Sequence, residues 1–125
     1  IRGLPTLKKS LQLPANFTVF NHLPAESLKQ YIAASAFVIA RCGYSTIMDM
    51  VAMKQKCILI PTPGQTEQEY LGRHLMKHNI ALCIKQNRFQ LNAALELASN
   101  FPFTNKDFLK EDQLNRQIKQ LEFAV

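Results

Sequence analysis

Three short apolar runs recur along the chain, at residues 37–40, 57–60 and 80–84, and turn residues separate each from a stretch with helical periodicity. Runs of four or five residues without polar alternation suit strands buried on both faces. In the first gap Ile47, Met50 and Val51 recur at helical spacing, with Ser45 or Thr46 as the expected cap. In the second, residues 66–69 (Thr-Glu-Gln-Glu) read as a capping box, and the helix they open carries Leu71 and Leu75 and ends near Asn79. After the third run, Asn87-x-x-Gln90 is expected to start a helix with Leu91, Ala94, Leu95 and Ala98 on one face. Upstream, residues 18–20 form a β-prone run, and Pro24 suits the start of a helix carrying Leu28, Tyr31 and Ile32. A final helix is expected over residues 105–121, after a hinge at 101–104. Short strands alternating with helices spell βαβ units, so the predicted class is α/β: a Rossmann-like domain with a parallel sheet.

At 125 residues there is room for one core, and 47% hydrophobic with 19% charged residues excludes a disordered or low-complexity chain. No apolar run approaches the roughly 20 residues that span a bilayer. No charged leader followed by an apolar stretch opens the sequence, so no export signal is expected. The cysteines, Cys42, Cys57 and Cys83, are odd in number and widely spaced, which argues against a disulfide framework or a structural zinc site. Each lies in or beside an apolar run and reads as a small core residue in a reducing, cytoplasmic setting. The formal charge of +6 is uneven. Residues 1–60 carry seven Lys/Arg and two Asp/Glu, and residues 61–125 carry eight and seven. The first half is therefore the expected place to meet an anion, or simply a solvated basic face. No basic cluster interleaved with aromatics points to nucleic acid. Peripheral contact with an anionic membrane surface stays open.

Two junctions could carry chemistry. Arg41-Cys42-Gly43-Tyr44-Ser45-Thr46 links a strand end to a helix start, where free backbone N–H groups and the helix dipole attract phosphate. Asp49 follows one turn in, suited to ribose hydroxyls. The plainer reading is a turn glycine, a cap and a dipole-compensating acid. The second junction, residues 61–69, brings Gln65, Gln68 and Glu69 to the next helix start, as amides and a carboxylate suited to hydroxyl-rich ligands. Here the plainer reading makes Glu69 the capping partner of Thr66. In a parallel sheet both junctions lie at carboxyl ends and face one crevice. Asn21 and His22 occupy a third loop. His74 and His78 stand at i, i+4, but no carboxylate motif supports a metal. Cys42, near a helix start, is a weak candidate for a lowered pKa.

Residues 40–49 resemble the pattern S-R-x-G-x-x-T-x-x-E of glycosyltransferase family 28, which includes the MurG-like N-acetylglucosaminyltransferases. A Lys56-to-Pro61 strand and then Gln65-x-x-Gln68-Glu69-Tyr70 extend the resemblance, which covers residues 18–98. It implies the carboxyl-terminal half of a glycosyltransferase-B fold, binding a nucleotide-sugar donor such as a UDP-sugar, with the acceptor and catalytic base in an amino-terminal domain or separate subunit. It implies that Gly43 and Thr46 hold the diphosphate, Asp49 the ribose, Gln68 and Glu69 the sugar, and the Asn21-His22 loop the base. Transfer would be inverting, with Arg41 and Thr46 beside the leaving diphosphate and neither metal nor cofactor required. Asp49 stands for the usual Glu, Glu69 for an amide and Gly72 for a common Asn. Residues 1–125 are expected to be one donor-binding domain, a fragment of a longer protein lacking the first strand of its sheet and inactive alone. Such an open edge favours a homodimer or marginal stability. The alternatives are a nucleotide-sugar hydrolase or epimerase on the same scaffold, or a non-catalytic subunit of a split transferase. A cytoplasmic location, peripheral at the inner membrane face, fits the leading reading.

Overall fold

In a computed structural model the described residues are 1, 5–6, 11–104 and 116. They fall in two compact units, Ile1–Ser35 and Ala36–Val125. In the first, Pro24 precedes α1 (Ala25–Ala34), and the Phe20 and Tyr31 rings meet at 5.0 Å. No described residue of this unit is buried, and residues 18–20 form no strand. Their β-propensity finds no neighbouring strand to pair with among the described residues, and propensity alone does not make a sheet.

The second unit runs β1 (Val38–Arg41), α2 (Tyr44–Ala52), β2 (Cys57–Ile60), α3 (Thr66–Lys77), β3 (Leu82–Cys83), a 3₁₀ turn (Gln86–Arg88) and α4 (Leu91–Asn100). The strands form one parallel sheet in the order β1-β2-β3, with Arg41 opposite Ile60 and Leu59 opposite Cys83. The central strand is the apolar run expected, with Cys57, Ile58 and Leu59 all buried. β1, by contrast, is half-exposed in alternation, and Ile39 keeps 38% of its surface. Val38 and Ala40 on one face are half-buried while Ile39 and Arg41 on the other are exposed, so the burial expected on both faces is not met; β1 is also an edge strand among the described residues. The third strand is two residues long rather than five.

Side chains paired in register leave the same face of a sheet. On the face of Ile58 and Leu82 lie Ala94 and Ala98 of α4, with Phe37, Phe89, Phe101 and Phe103 closing the cluster. Leu91 and Leu95, expected on the inner stripe, are 41% and 36% exposed, because the two alanines let α4 approach closely and leave the leucines at its rim. On the face of Leu59 and Cys83 lies α3, whose Gly72 backbone sits against the Cys83 sulfur. The hinge expected at 101–104 is tied down: Phe101 and Phe103 pack into the core, and the Thr104 amide donates to the Asn79 carbonyl at 2.9 Å. The helix expected over 105–121 lies outside the described residues apart from Arg116, which is helical.

Helices α2 and α3 both end in a left-handed residue, Lys54 (φ 52°) and Asn79 (φ 58°). The next residue's amide reaches back in each case, Gln55 to Met50 and Ile80 to Leu75, both at 2.9 Å. This satisfies carbonyls that a helix end leaves unpaired and turns the chain directly into the following strand segment.

Candidate functional site

Because β1 and β2 are parallel and Arg41 pairs with Ile60, the Gly43 junction and the Pro61–Thr66 junction leave the sheet at the same edge. The guanidinium of Arg41 reaches across this edge and donates to the Ile60 carbonyl at 3.4 Å. Behind the edge, the position of a Gly72 Cβ lies 3.5 Å from the Cys42 sulfur and 3.2 Å from Pro61 Cγ, so α3 contacts the base of both junctions.

At the first junction the cap is Gly43, not Ser45 or Thr46, and it makes no side-chain cap hydrogen bond. Helix α2 therefore begins two or three residues earlier than the sequence suggests. Ser45 and Thr46 occupy its first turn, with no acidic residue there. The first bond along the helix runs from the Ile47 amide to the Gly43 carbonyl. The amides of Ser45 and Thr46 precede it in the first turn, where a helix leaves its amides without an intrahelical acceptor. Gly43 has ordinary extended geometry (φ −80°). Its contribution is access: a Cβ there would meet nothing closer than Thr46 Oγ1 at 4.0 Å. Tyr44, Ser45 and Asp49 are exposed and Thr46 is half-buried.

At the second junction the expected capping box does not form. The cap of α3 is Gln65, so Thr66 is already helical. Gln68 does the bracing instead: its Oε1 accepts from the Thr62 amide at 2.9 Å and its Nε2 donates to Gln65 Oε1 at 2.6 Å. Gln68 thus turns back onto its own loop. Glu69, released from capping, lines a cleft of about 400 Å³ with Pro61, Pro63, Arg73, Cys83, Lys85, Gln86 and Asn87. Sequence reasoning missed the last four polar groups. The signal available was position, since Lys85 to Asn87 follow the third strand at the same carboxyl edge and Arg73 lies one helical turn beyond Glu69.

Asn21 and His22 lie in the Ile1–Ser35 unit, in the loop before α1, half-buried and exposed respectively. The His74 and His78 rings lie 4.4 Å apart, with Tyr70 stacked on His74, and His78 Nδ1 is 2.8 Å from the His74 carbonyl oxygen. Among the described residues no three His, Cys, Asp or Glu side chains gather as a metal site would require. The cysteines are free thiols, as read. The suggestion of an acidified Cys42 is overturned. Burial, reinforced by the neighbouring Cys83 and Cys57 thiols, pushes its pKa up to about 12. Burial pushes Cys57 to about 11. It also raises Cys83, against an opposing pull from the Arg73 cation. None of the three is poised as a nucleophile at neutral pH. Among the described residues no helix is long and apolar enough to cross a membrane.

A parallel sheet with helices on both faces and two loop-to-helix junctions at one carboxyl edge defines a Rossmann-like α/β domain. The family model described as "Glycosyltransferase family 28 C-terminal domain" matches residues 7–122. The chain belongs to that family, and its fold is that of the carboxyl-terminal half of a glycosyltransferase-B protein. It is 29% identical over 100 residues to a UDP-N-acetylglucosamine–N-acetylmuramyl-(pentapeptide) pyrophosphoryl-undecaprenol N-acetylglucosamine transferase of Bacillus pumilus (strain SAFR-032), covering 75% of this chain and 26% of that protein. The protein of the same name from Bacillus subtilis (strain 168) is 29% identical over 86 residues, covering 67% of this chain and 23% of its own length. The chain thus spans about a quarter of the curated relatives it matches. No solved structure matches it significantly.

Proposed function

We propose that this chain is the donor-binding part of a glycosyltransferase and holds a UDP-sugar at the carboxyl edge of its sheet. The observation that carries the reading is the α2 start, with an open glycine cap, two hydroxyl side chains and no acid in its first turn. A diphosphate seated there meets backbone donors and the positive end of a helix dipole. Asp49, one turn further along α2 and exposed, would offer its carboxylate to ribose hydroxyls. The family supports a donor-binding role, and both relatives carry a UDP-sugar in their names. The donor sugar, the inverting course and an acceptor bound by a further domain or subunit are parts of this proposal.

The chemistry follows from the charge. An acceptor oxygen attacks the anomeric carbon, the bond from that carbon to the β-phosphate oxygen breaks, and the electron pair leaves on the diphosphate. A base outside these residues takes the acceptor proton. The negative charge that grows on the leaving group is met by preorganised donors, the α2 amides and Thr46, with Arg41 alongside.

Calorimetric titration of UDP into the intact protein tests the assignment. Thr46→Ala removes one hydroxyl contact and is expected to weaken binding roughly 3- to 10-fold. Asp49→Ala removes a charged acceptor and is expected to cost roughly tenfold or more. Unchanged UDP affinity in both variants refutes it.

A further inference from the structure

We propose that Arg73 and Lys85 form an anion clamp in the cleft beside Glu69, so that the donor's non-nucleoside end is held by opposed charges rather than by amides alone. The proposal rests on the donor-binding reading above and extends it to groups lying one strand further along the sheet edge.

Three observations meet in this cleft. First, its size, about 400 Å³, falls within the range that takes small polar ligands. Pro61, Pro63 and Cys83 line it together with the polar groups. Secondly, the charges come from separate elements. Glu69 and Arg73 stand one turn apart on α3, and Lys85 follows β3. The spacing of Glu69 and Arg73 would allow an ion pair. Yet among the described residues neither Arg73 nor Lys85 pairs with Glu69, both line the cleft, and the Arg73 cation is close enough to act on the Cys83 thiol beside it. Thirdly, Gln68 braces the loop and so frees Glu69 from capping. A lone carboxylate accepts from sugar hydroxyls, while a guanidinium fork and an ammonium take carboxylate or phosphate oxygens. Two cations against one carboxylate leave the cleft net positive, with Gln86 and Asn87 lining it as neutral donors and acceptors.

The ligand chemistry is therefore a polyhydroxylated group bearing an anion. That anion has two sources: the diphosphate of the donor, or a carboxylate carried by the sugar. The experiment titrates UDP, UDP-N-acetylglucosamine and UDP-glucuronate into the intact wild-type protein and into Arg73→Gln, Lys85→Gln and the double variant. Free pyrophosphate and glucuronate are run alongside as uridine-free probes. Each lost charge is expected to weaken binding roughly tenfold. Equal weakening for all three nucleotides assigns the clamp to the diphosphate. Weakening confined to UDP-glucuronate assigns it to a sugar carboxylate. Pyrophosphate or glucuronate binding that depends on Arg73, in a protein that does not bind UDP, keeps the clamp and overturns the donor-binding reading. Affinities unchanged in the double variant for every probe overturn the clamp. Both exchanges lie at exposed positions, so matched unfolding curves are expected to show the fold intact.

Discussion

Replacing Gly72 by alanine sets helix propensity against packing. In an exposed helix alanine is favoured over glycine by about 1 kcal/mol. At this place in α3, however, an added Cβ would lie 2.5 Å from the Cys83 sulfur, 3.2 Å from Pro61 Cγ and 3.5 Å from the Cys42 sulfur. Carbon and sulfur need roughly 3.5–4 Å, so the closest pair must separate by more than about 1 Å. Either Cys83 turns out of its rotamer or α3 lifts from the sheet. Overpacking of this kind costs about 1–3 kcal/mol, which outweighs the propensity gain in most of its range. We expect Gly72→Ala to lower unfolding stability by about 1 kcal/mol, measured by urea denaturation. Cys83→Ala removes the nearest atom, so in that background Gly72→Ala should be neutral or stabilising, with a coupling of about 1–3 kcal/mol in the double-mutant cycle. A Gly72→Ala protein at least as stable as wild type, or a cost that persists without the Cys83 sulfur, refutes the close-approach argument. Pro61 opens the loop that Gln68 braces, so the same variant should also weaken ligands of the neighbouring cleft.

Two further outcomes concern stability. Lys54 holds a left-handed conformation that glycine adopts without penalty, so Lys54→Gly should stabilise the domain by about 0.5–1 kcal/mol in denaturant titrations. Asn79→Gly should gain less, since asparagine tolerates that geometry better. The buried thiols make the fold sensitive to alkali. Their folded pKa values, about 12 for Cys42 and about 11 for Cys57, exceed the ordinary 9.0. Below pH 9 both states are protonated and nothing is lost. Above it the unfolded chain ionises first, and stability falls by up to about 1.4 kcal/mol per pH unit per thiol until the folded values are reached. Stability measured from pH 8 to 11 should therefore decline less steeply in a Cys42→Ala/Cys57→Ala protein, and identical slopes would refute the assignment.

The alternation of apolar runs with helical stretches was enough to set the class of fold, because short strands separated by helices pair in parallel through helical crossovers. It also placed both candidate junctions at one edge, since parallel strands put every strand-to-helix turn at the same end. Cys42 and Cys57 read correctly as core residues, while Cys83 is only half-buried. What pattern could not decide was any property that depends on a neighbour distant in sequence. Ile39 looks as buried as Ile58 in the sequence, but the cluster with Ala94 and Ala98 of α4 covers Ile58 and leaves Ile39 outside it. Residues 66–69 satisfy the capping-box pattern, yet the Thr62 amide and Gln65 claim Gln68, the helix starts one residue earlier, and Glu69 is left to the cleft. A cysteine beside a helix start should be acidified by the dipole, but burial beside two more thiols raises it instead. Arg73, Lys85, Gln86 and Asn87 become one wall only when α3 and β3 are laid side by side. Local sequence sets what each segment tends to form. Burial, pairing and the shape of a site are sums over groups that only the folded chain brings within a few ångströms of one another.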